Sequence, residues 1–233
     1  MKIVLVGYGK MGKLVGSLAP EYGWEVAGVI DPQSAAHSGG ADDPKWQGVD
    51  VAIDFSTPDA VAANAGALAR RGINLVIGTT GWQKDERAVR EAVLAGGVGA
   101  VAAPNFSTGV VLFDALVGYA GKLFGRQPDF GAYLHEAHHA AKKDAPSGTA
   151  LLLKRTMEHA GYRRPIDTSS SRAGFIPGTH TVGFDGHAET ITLTHTARDR
   201  SAFARGALVA AKWVVGKRGY FTMRDVLGIQ ENG

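Results

Sequence analysis

The stretch Lys2-Ile3-Val4-Leu5-Val6-Gly7-Tyr8-Gly9-Lys10-Met11-Gly12 decides the fold. Four apolar residues after Lys2 read as a buried strand. Met11, Leu14, Val15 and Leu18 then recur at helical spacing, which predicts a helix over Lys10–Tyr22. Between the two, Gly7, Gly9 and Gly12 fit G-x-G-x-x-G in the context that gives the pattern meaning, after a strand and at the opening of a helix. Gly7 permits the tight turn, Gly9 lets a pyrophosphate approach the backbone, and Gly12 lets the helix pack on the strand. The free N–H groups of the helix start then face the phosphates. Asp31 ends a second strand, Glu25–Ile30, where a carboxylate can accept a hydrogen bond from the adenosine ribose. That carboxylate repels a 2′-phosphate, and Pro32 rather than Arg follows it. Local charge therefore favours NADH over NADPH, while Lys10, which can reach a phosphate, leaves both open.

Outward from this stretch, strands and helices alternate. Asp50–Phe55, Ile73–Ile77 and Val98–Ala103 are further apolar runs. Thr57 reads as an N-cap with Pro58 at the first helical position of a helix to about Arg71, and Gln83–Ala95 forms another. Continuous apolar strands with helices between them predict a parallel sheet covered on both faces. Gly78-Thr79-Thr80-Gly81 and Ala103-Pro104-Asn105-Phe106 follow two of these strands, at the end where open α/β sheets bind ligands. Asp31–Gly48 has little periodicity and reads as loop.

The second half has a different texture. Ser107–Phe124 reads as a helix, Phe130–Glu136 as a strand, and Ser147–Ala160 as a helix with Ser147 as its N-cap. His180–Phe184 and Glu189–Thr196 alternate across Asp185-Gly186, the signature of a hairpin. Ser201–Val215 reads as a last long helix. The expected fold class is α/β: an N-terminal Rossmann parallel sheet plus a smaller α+β domain with an open mixed sheet. The composition shifts near Asn105-Phe106.

Composition narrows the chemistry. The 233 residues carry 25 Lys+Arg against 22 Asp+Glu, a net charge of +3, which suits a small anion and does not imply nucleic acid. The aromatic residues do not interleave with a basic stripe. The absence of Cys excludes disulfides, thiolate nucleophiles and Cys-type metal clusters. No apolar run approaches the ~18 residues of a membrane span, so the expectation is a soluble cytoplasmic protein with no membrane partner.

The densest polar segment is His135-Glu136-Ala137-His138-His139-Ala140-Ala141-Lys142-Lys143-Asp144-Ala145-Pro146-Ser147-Gly148-Thr149. Imidazole is the usual general acid near neutral pH. The clustered cations and the helix start at Ser147 suit an anion. A rival reading takes His135-Glu136-Ala137-His138-His139 as H-E-x-x-H, a zinc-hydrolase motif that requires both His on one helical face. Alternating Phe130, Ala132 and Leu134 run into the segment as a strand would, and Pro146 closes it, so no metal is expected.

The run Glu136-Ala137-His138-His139-Ala140-Ala141-Lys142-Lys143-Asp144-Ala145-Pro146-Ser147-Gly148-Thr149-Ala150 resembles the E-x-H-H-x-x-K-x-D-A-P-S-G-T-A motif of the dihydrodipicolinate reductase family. The resemblance extends through Gly7–Gly12, Asp54-Phe55-Ser56, Gly78–Gly81, Pro104–Ser107, Arg172-Ala173-Gly174, Gly178-Thr179-His180 and Phe203–Ala207, nearly the whole chain. It implies NAD(P)H-dependent reduction of dihydrodipicolinate in lysine and diaminopimelate synthesis. It further implies His138 as proton donor, Lys142 as its assistant, and His139, Gly148 and Thr149 as holders of the substrate carboxylates. Cofactor contacts map to Gly7, Tyr8, Gly9, Lys10, Met11, Gly12, Asp31, Gly78, Thr79, Thr80, Ala103, Pro104, Asn105 and Phe106. Residues 1–106 would form the dinucleotide domain, with 207–233 returning to it, and 107–206 the substrate and oligomerisation domain of a homotetramer. Asp31-Pro32 departs from the acid-Arg pair of many members. A nucleotide-binding sensor without turnover and an aspartate dehydrogenase acting on another dicarboxylate are the competing readings.

Overall fold

The computed structural model describes residues 1–229; the last four residues of the segment expected to return to the first domain, 230–233, lie outside the described residues. The chain divides into two compact units, one made of residues 1–108 and the segment from Ser201 onward, the other of Gly109–Arg200. In chain order the elements are β1 (Lys2–Val6), α1 (Lys10–Leu18), β2 (Glu25–Ile30), β3 (Val51–Asp54), α2 (Val61–Ala69), β4 (Asn74–Ile77), α3 (Glu86–Gly96) and β5 (Gly99–Ala102). Next come α4 (Thr108–Phe124), β6 (Gly131–His138), α5 (Gly148–His159), β7 (Ile166–Arg172), β8 (Thr179–Asp185) and β9 (Thr190–Thr196). The chain then adds α6 (Ser201–Val214), β10 (Gly219–Phe221) and α7 (Met223–Val226).

The first unit carries a six-stranded sheet, β10-β5-β4-β3-β1-β2, with every pair parallel. Val51, Ala52, Ile53, Leu75, Val76 and Ile77 are buried, as apolar strands covered on both faces must be. Parallel pairing places the β1–α1 turn, Asp31, Asp54, Gly78 and Ala103 at one edge of the sheet. Three expected helices begin or end differently, and the one expected from Gln83 opens with a 3-10 turn over Gln83–Asp85 before α3 starts at Glu86. Pro20, which has no N–H to donate, ends α1 in a 3-10 turn over Ala19–Tyr22. Pro58 likewise opens a 3-10 turn ahead of α2, and Thr57 makes no side-chain cap bond.

The second unit has a mixed sheet, β7-β6-β8-β9, with β6 parallel to β7 and antiparallel to β8. Alternation along β6 buries Ala132, Leu134, Glu136 and His138 on one face. There Leu134, Val182 and Phe184 pack with Phe113 and Val117 of α4 and Leu153 and Met157 of α5. Phe124 stacks on Phe184 with ring centroids 4.2 Å apart. The strand expected to stop at Glu136 continues through His138, because β7 pairs with it over its full length. β7, rich in Ser and half exposed, offers no apolar alternation and went unpredicted, as did the three-residue β10. The β8–β9 connection turns at Gly186, whose N–H donates to Glu189 O.

Candidate active site

The glycine fingerprint forms a cradle in the first unit. Gly7 has φ +83°, and a Cβ there would lie 2.5 Å from Phe55 O, so only glycine fits. Gly9 precedes the first turn of α1 as its N-cap, with Lys10, Met11 and Gly12 following, and a Cβ on Gly9 would meet nothing within 4 Å. That open space at a helix start is what a pyrophosphate requires. Asp31 braces the loop: its carboxylate accepts from Tyr8 N–H at 2.7 Å and from Gln33 N–H at 3.0 Å. At the ends of β3 and β4, Asp54 is buried, and its carboxylate accepts from Ser56 Oγ at 2.7 Å and Thr79 Oγ1 at 2.8 Å. Burial pushes the Asp54 carboxyl up, opposed by those hydrogen bonds. Thr79 therefore points into the interior, whereas Thr80 is exposed. Gly78 N–H donates to Asp54 O, and Ala103 N–H to Ile77 O. Pro104 is exposed, Asn105 Oδ1 accepts from Ser107 N–H at 2.8 Å, and the buried ring of Phe106 packs edge-on against Phe55. The sequence-predicted cofactor residues thus gather at one sheet edge, with the Thr79 and Phe106 side chains directed into the protein.

The second unit concentrates charge where its core opens. Glu136, fully buried, accepts from Arg172 Nη2 at 2.7 Å through Oε1. Its Oε2 makes an ion-pair contact with His138 Nδ1 that lacks hydrogen-bond alignment. His138 is 9% exposed, and its ring lies edge-on to that of His180 with centroids 5.1 Å apart. Strand register produces this cluster: Glu136 sits opposite His180, and His138 opposite Arg172. Beyond β6, Ala173 N–H donates to His138 O and Ala140 N–H to Gly174 O, which ties the motif to the end of β7. Lys142 Nζ donates to both Asp144 oxygens at 2.8 and 3.0 Å. His180 Nε2 lies 3.1 Å from Ser147 Oγ, which caps α5 by accepting from Ala150 N–H, so Gly148 and Thr149 form its opening turn. His139 is half-buried, and its carbonyl accepts from Lys142 N–H.

Electrostatics follow from this burial. For Glu136, burial alone would raise the carboxyl, but hydrogen bonds from Arg172 and Ser170 and the nearby cations hold it at about 2. His180 is pushed down to about 4 by burial and then by the charge of His138. Burial also lowers His138, against the pull of Glu136. Protonating His180 therefore favours the unfolded chain, whose imidazole titrates near 6.5, and stability declines as pH falls from 6.5 through about 4. The Glu136 carboxylate adds stability that is lost from 4.5 through about 2. Urea midpoints measured from pH 7 to pH 3 should show both stages, and His180→Gln should flatten the upper one; an unchanged upper slope would assign it elsewhere.

Sequence reasoning identified the His138–Thr149 segment but not Arg172 and His180 as its partners, nor a function for Glu136; the pairing registers of β7 and β8 supply them. The H-E-x-x-H geometry does not form, because these residues lie on a strand: His135 points away from Glu136 and His138 and bonds Ser169 Oγ at 3.0 Å. Glu136, His138 and His180 do offer ligand atoms within 4.8 Å of one another, but Arg172 already pairs with the Glu136 carboxylate.

A parallel sheet with a glycine cradle at its edge is the architecture of a nucleotide-binding domain, and the family of oxidoreductases that joins it to a second, mixed-sheet unit is the one this chain matches. Residues 1–106 match the family model for the N-terminus of dihydrodipicolinate reductase, and residues 109–227 that for its C-terminus. The chain belongs to the dihydrodipicolinate reductase family. A 4-hydroxy-tetrahydrodipicolinate reductase from Methanoregula boonei is 39% identical, over 99% of this chain and 99% of its own. One from Christiangramia forsetii is 35% identical, over 97% and 98%. A dipicolinate-bound dihydrodipicolinate reductase structure from Paenisporosarcina sp. TG-14 superposes with a TM-score of 0.81 at 21% identity, covering 95% of this chain and 97% of that one; the likeness shows the shared fold. Among the described residues no helix is long and apolar enough to cross a membrane.

Proposed function

We propose that the first unit holds the dinucleotide and the second holds and protonates the substrate. The reaction is the NAD(P)H-dependent reduction of 4-hydroxy-tetrahydrodipicolinate to tetrahydrodipicolinate, a step of lysine and diaminopimelate biosynthesis. The observation that carries the residue assignment is the delivery of His138 by β6 to the open end of the core, in the segment that also bears Lys142 and the start of α5. The backbone of Gly7–Gly12, braced by Asp31, binds the pyrophosphate; Gly78–Thr80 and Ala103–Phe106 line the nicotinamide side. When bound, the nicotinamide supplies a hydride to the conjugated cyclic imine of the substrate. The ring then carries enamine-like electron density, and His138 protonates it. His139, Gly148 and Thr149 hold the carboxylates, and Lys142 offsets the dianion. The two carboxylates in turn raise the proton affinity of His138, offsetting the effect of burial.

NADH is the preferred donor, because the Asp31 carboxylate repels a 2′-phosphate. The working assembly is a cytoplasmic homotetramer, which the family resemblance supports and sedimentation of the purified protein checks. Freshly generated substrate, mixed with protein and either reduced nucleotide, should oxidise both, with the higher kcat/KM for NADH. No oxidation of either would overturn the reading; a preference for NADPH would overturn the role of Asp31.

A further inference from the structure

Four side chains of the second unit converge on the imidazole of His138 from separate elements. Glu136 of β6 brings Oε2 to Nδ1; Arg172 of β7 holds the other carboxylate oxygen at 2.7 Å; His180 of β8 sets its ring edge-on; Lys142 approaches from the segment after β6. His195 of β9 faces His180 across the β8–β9 pair. On the opposite side of the imidazole lies Gly178, where a Cβ would stand 3.2 Å from Nε2 and 3.3 Å from Cδ2. One ring nitrogen thus lies in ion-pair contact with a buried carboxylate, and the other borders a residue with no side chain.

We infer that Glu136, anchored by Arg172, is the positioning residue that keeps a proton on His138 Nδ1 and leaves Nε2 as the atom that donates. This inference rests on His138 being the proton donor. In the charged ring both nitrogens carry hydrogen. The Nε2–H bond breaks as a C–H bond forms at the substrate carbon, and its electron pair stays on Nε2. The neutral ring that remains carries its proton on Nδ1, beside the Glu136 carboxylate, and so is already the tautomer that can be recharged at Nε2 from water. Arg172 keeps the carboxylate ionised and fixed, so its charge is available to the imidazolium and is not lost to protonation. His180 is held neutral by its burial and does not add a second charge against the ring.

The test compares wild type, Glu136→Gln and Glu136→Asp. In wild type, two-bond nitrogen–proton NMR correlations of the neutral imidazole should place the proton on Nδ1; in Glu136→Gln the two tautomers should mix. In steady-state assays from pH 5.5 to 9, kcat should fall at high pH as His138 loses its charge. Removing the carboxylate should move that fall down by about one pH unit or more, within the range for loss of an adjacent opposite charge. KM should stay within about twofold, because Glu136 does not touch substrate. Glu136→Asp, which keeps the charge, should restore most of the wild-type profile, and it carries the test should Glu136→Gln fold poorly. A folded Glu136→Gln with an unmoved pH limb and an unchanged tautomer would overturn the assignment and leave Glu136 a purely structural partner of Arg172. The NMR measurement needs no turnover, so a wild-type protein that keeps the Nδ1 tautomer yet oxidises neither nucleotide would instead refute the reductase chemistry.

Discussion

His138→Ala should lower kcat by about 10²-fold or more while leaving NADH affinity nearly unchanged, the loss expected when a positioned acid is removed from the rate-determining region of a reaction. The reasoning starts from the strand. β6 alternates its side chains between two faces, and Ala132, Leu134, Glu136 and His138 share the buried one. The first two complete an apolar core; the last two carry charge at its open end. Neither His180, which is bonded to Ser147 and held neutral, nor His135, which lies on the other face, takes its place. The residues proposed for the dinucleotide belong to the other unit of the chain, so NADH affinity should not register the change. Lys142→Ala should show the same split at similar magnitude, because a cation beside a dianion matters most when electron density rises on the ring. Stopped-flow measurement of nucleotide oxidation with equilibrium titration of NADH separates the two quantities. Turnover within about threefold of wild type in both variants would remove these residues from the chemistry.

Arg172→Met should destabilise the second unit by about 3–5 kcal/mol, the usual cost of leaving one member of a buried ion pair behind. Glu136 is fully buried, and Arg172 Nη2 donates to its carboxylate at 2.7 Å. Arg172 also bonds the carbonyls of Ser171 and Asp144, so its loss frees the segment that carries Lys142. Removing both charges should behave differently. The pair Glu136→Gln with Arg172→Met should recover much of the loss, since replacing a buried ion pair by groups of similar shape is often close to neutral. Chemical denaturation of the four proteins in the cycle measures this directly. A single-variant loss below about 1 kcal/mol would mean that water reaches the carboxylate.

Much of the first unit was legible because its determinants are local. A four-residue apolar run, a glycine turn and an amphipathic helix each announce themselves within a few positions, and the acid at Asp31 lies at the distance the fold requires. Pro20 and Pro58 shifted helix boundaries for reasons visible only in part, since proline can either open a turn or end one. In the second unit, the motif around His138 was readable as chemistry but not as geometry. Glu136 meets Arg172 and His180 only through the registers of β7 and β8, and register is a property of the assembled sheet. β7 itself escaped because Thr168, Ser169, Ser170 and Ser171 give no hydrophobic signal on a half-exposed edge strand.

The first unit is completed by two stretches of chain separated by the whole of the second. β10 pairs with β5, and α6 buries Ala204, Ala207, Leu208 and Ala211 within the same unit. On the ribosome this imposes a waiting period. When residues 1–108 have emerged, β5 still exposes an unpaired edge of N–H and C=O groups, the template on which stray strands pair. At about 5–20 residues per second, synthesis of the missing strand follows only on the order of ten seconds later. The inserted unit has all of its own strands before that moment, so it can finish folding first, and the nascent chain is most vulnerable to aggregation in the interval before its last helix and strand arrive.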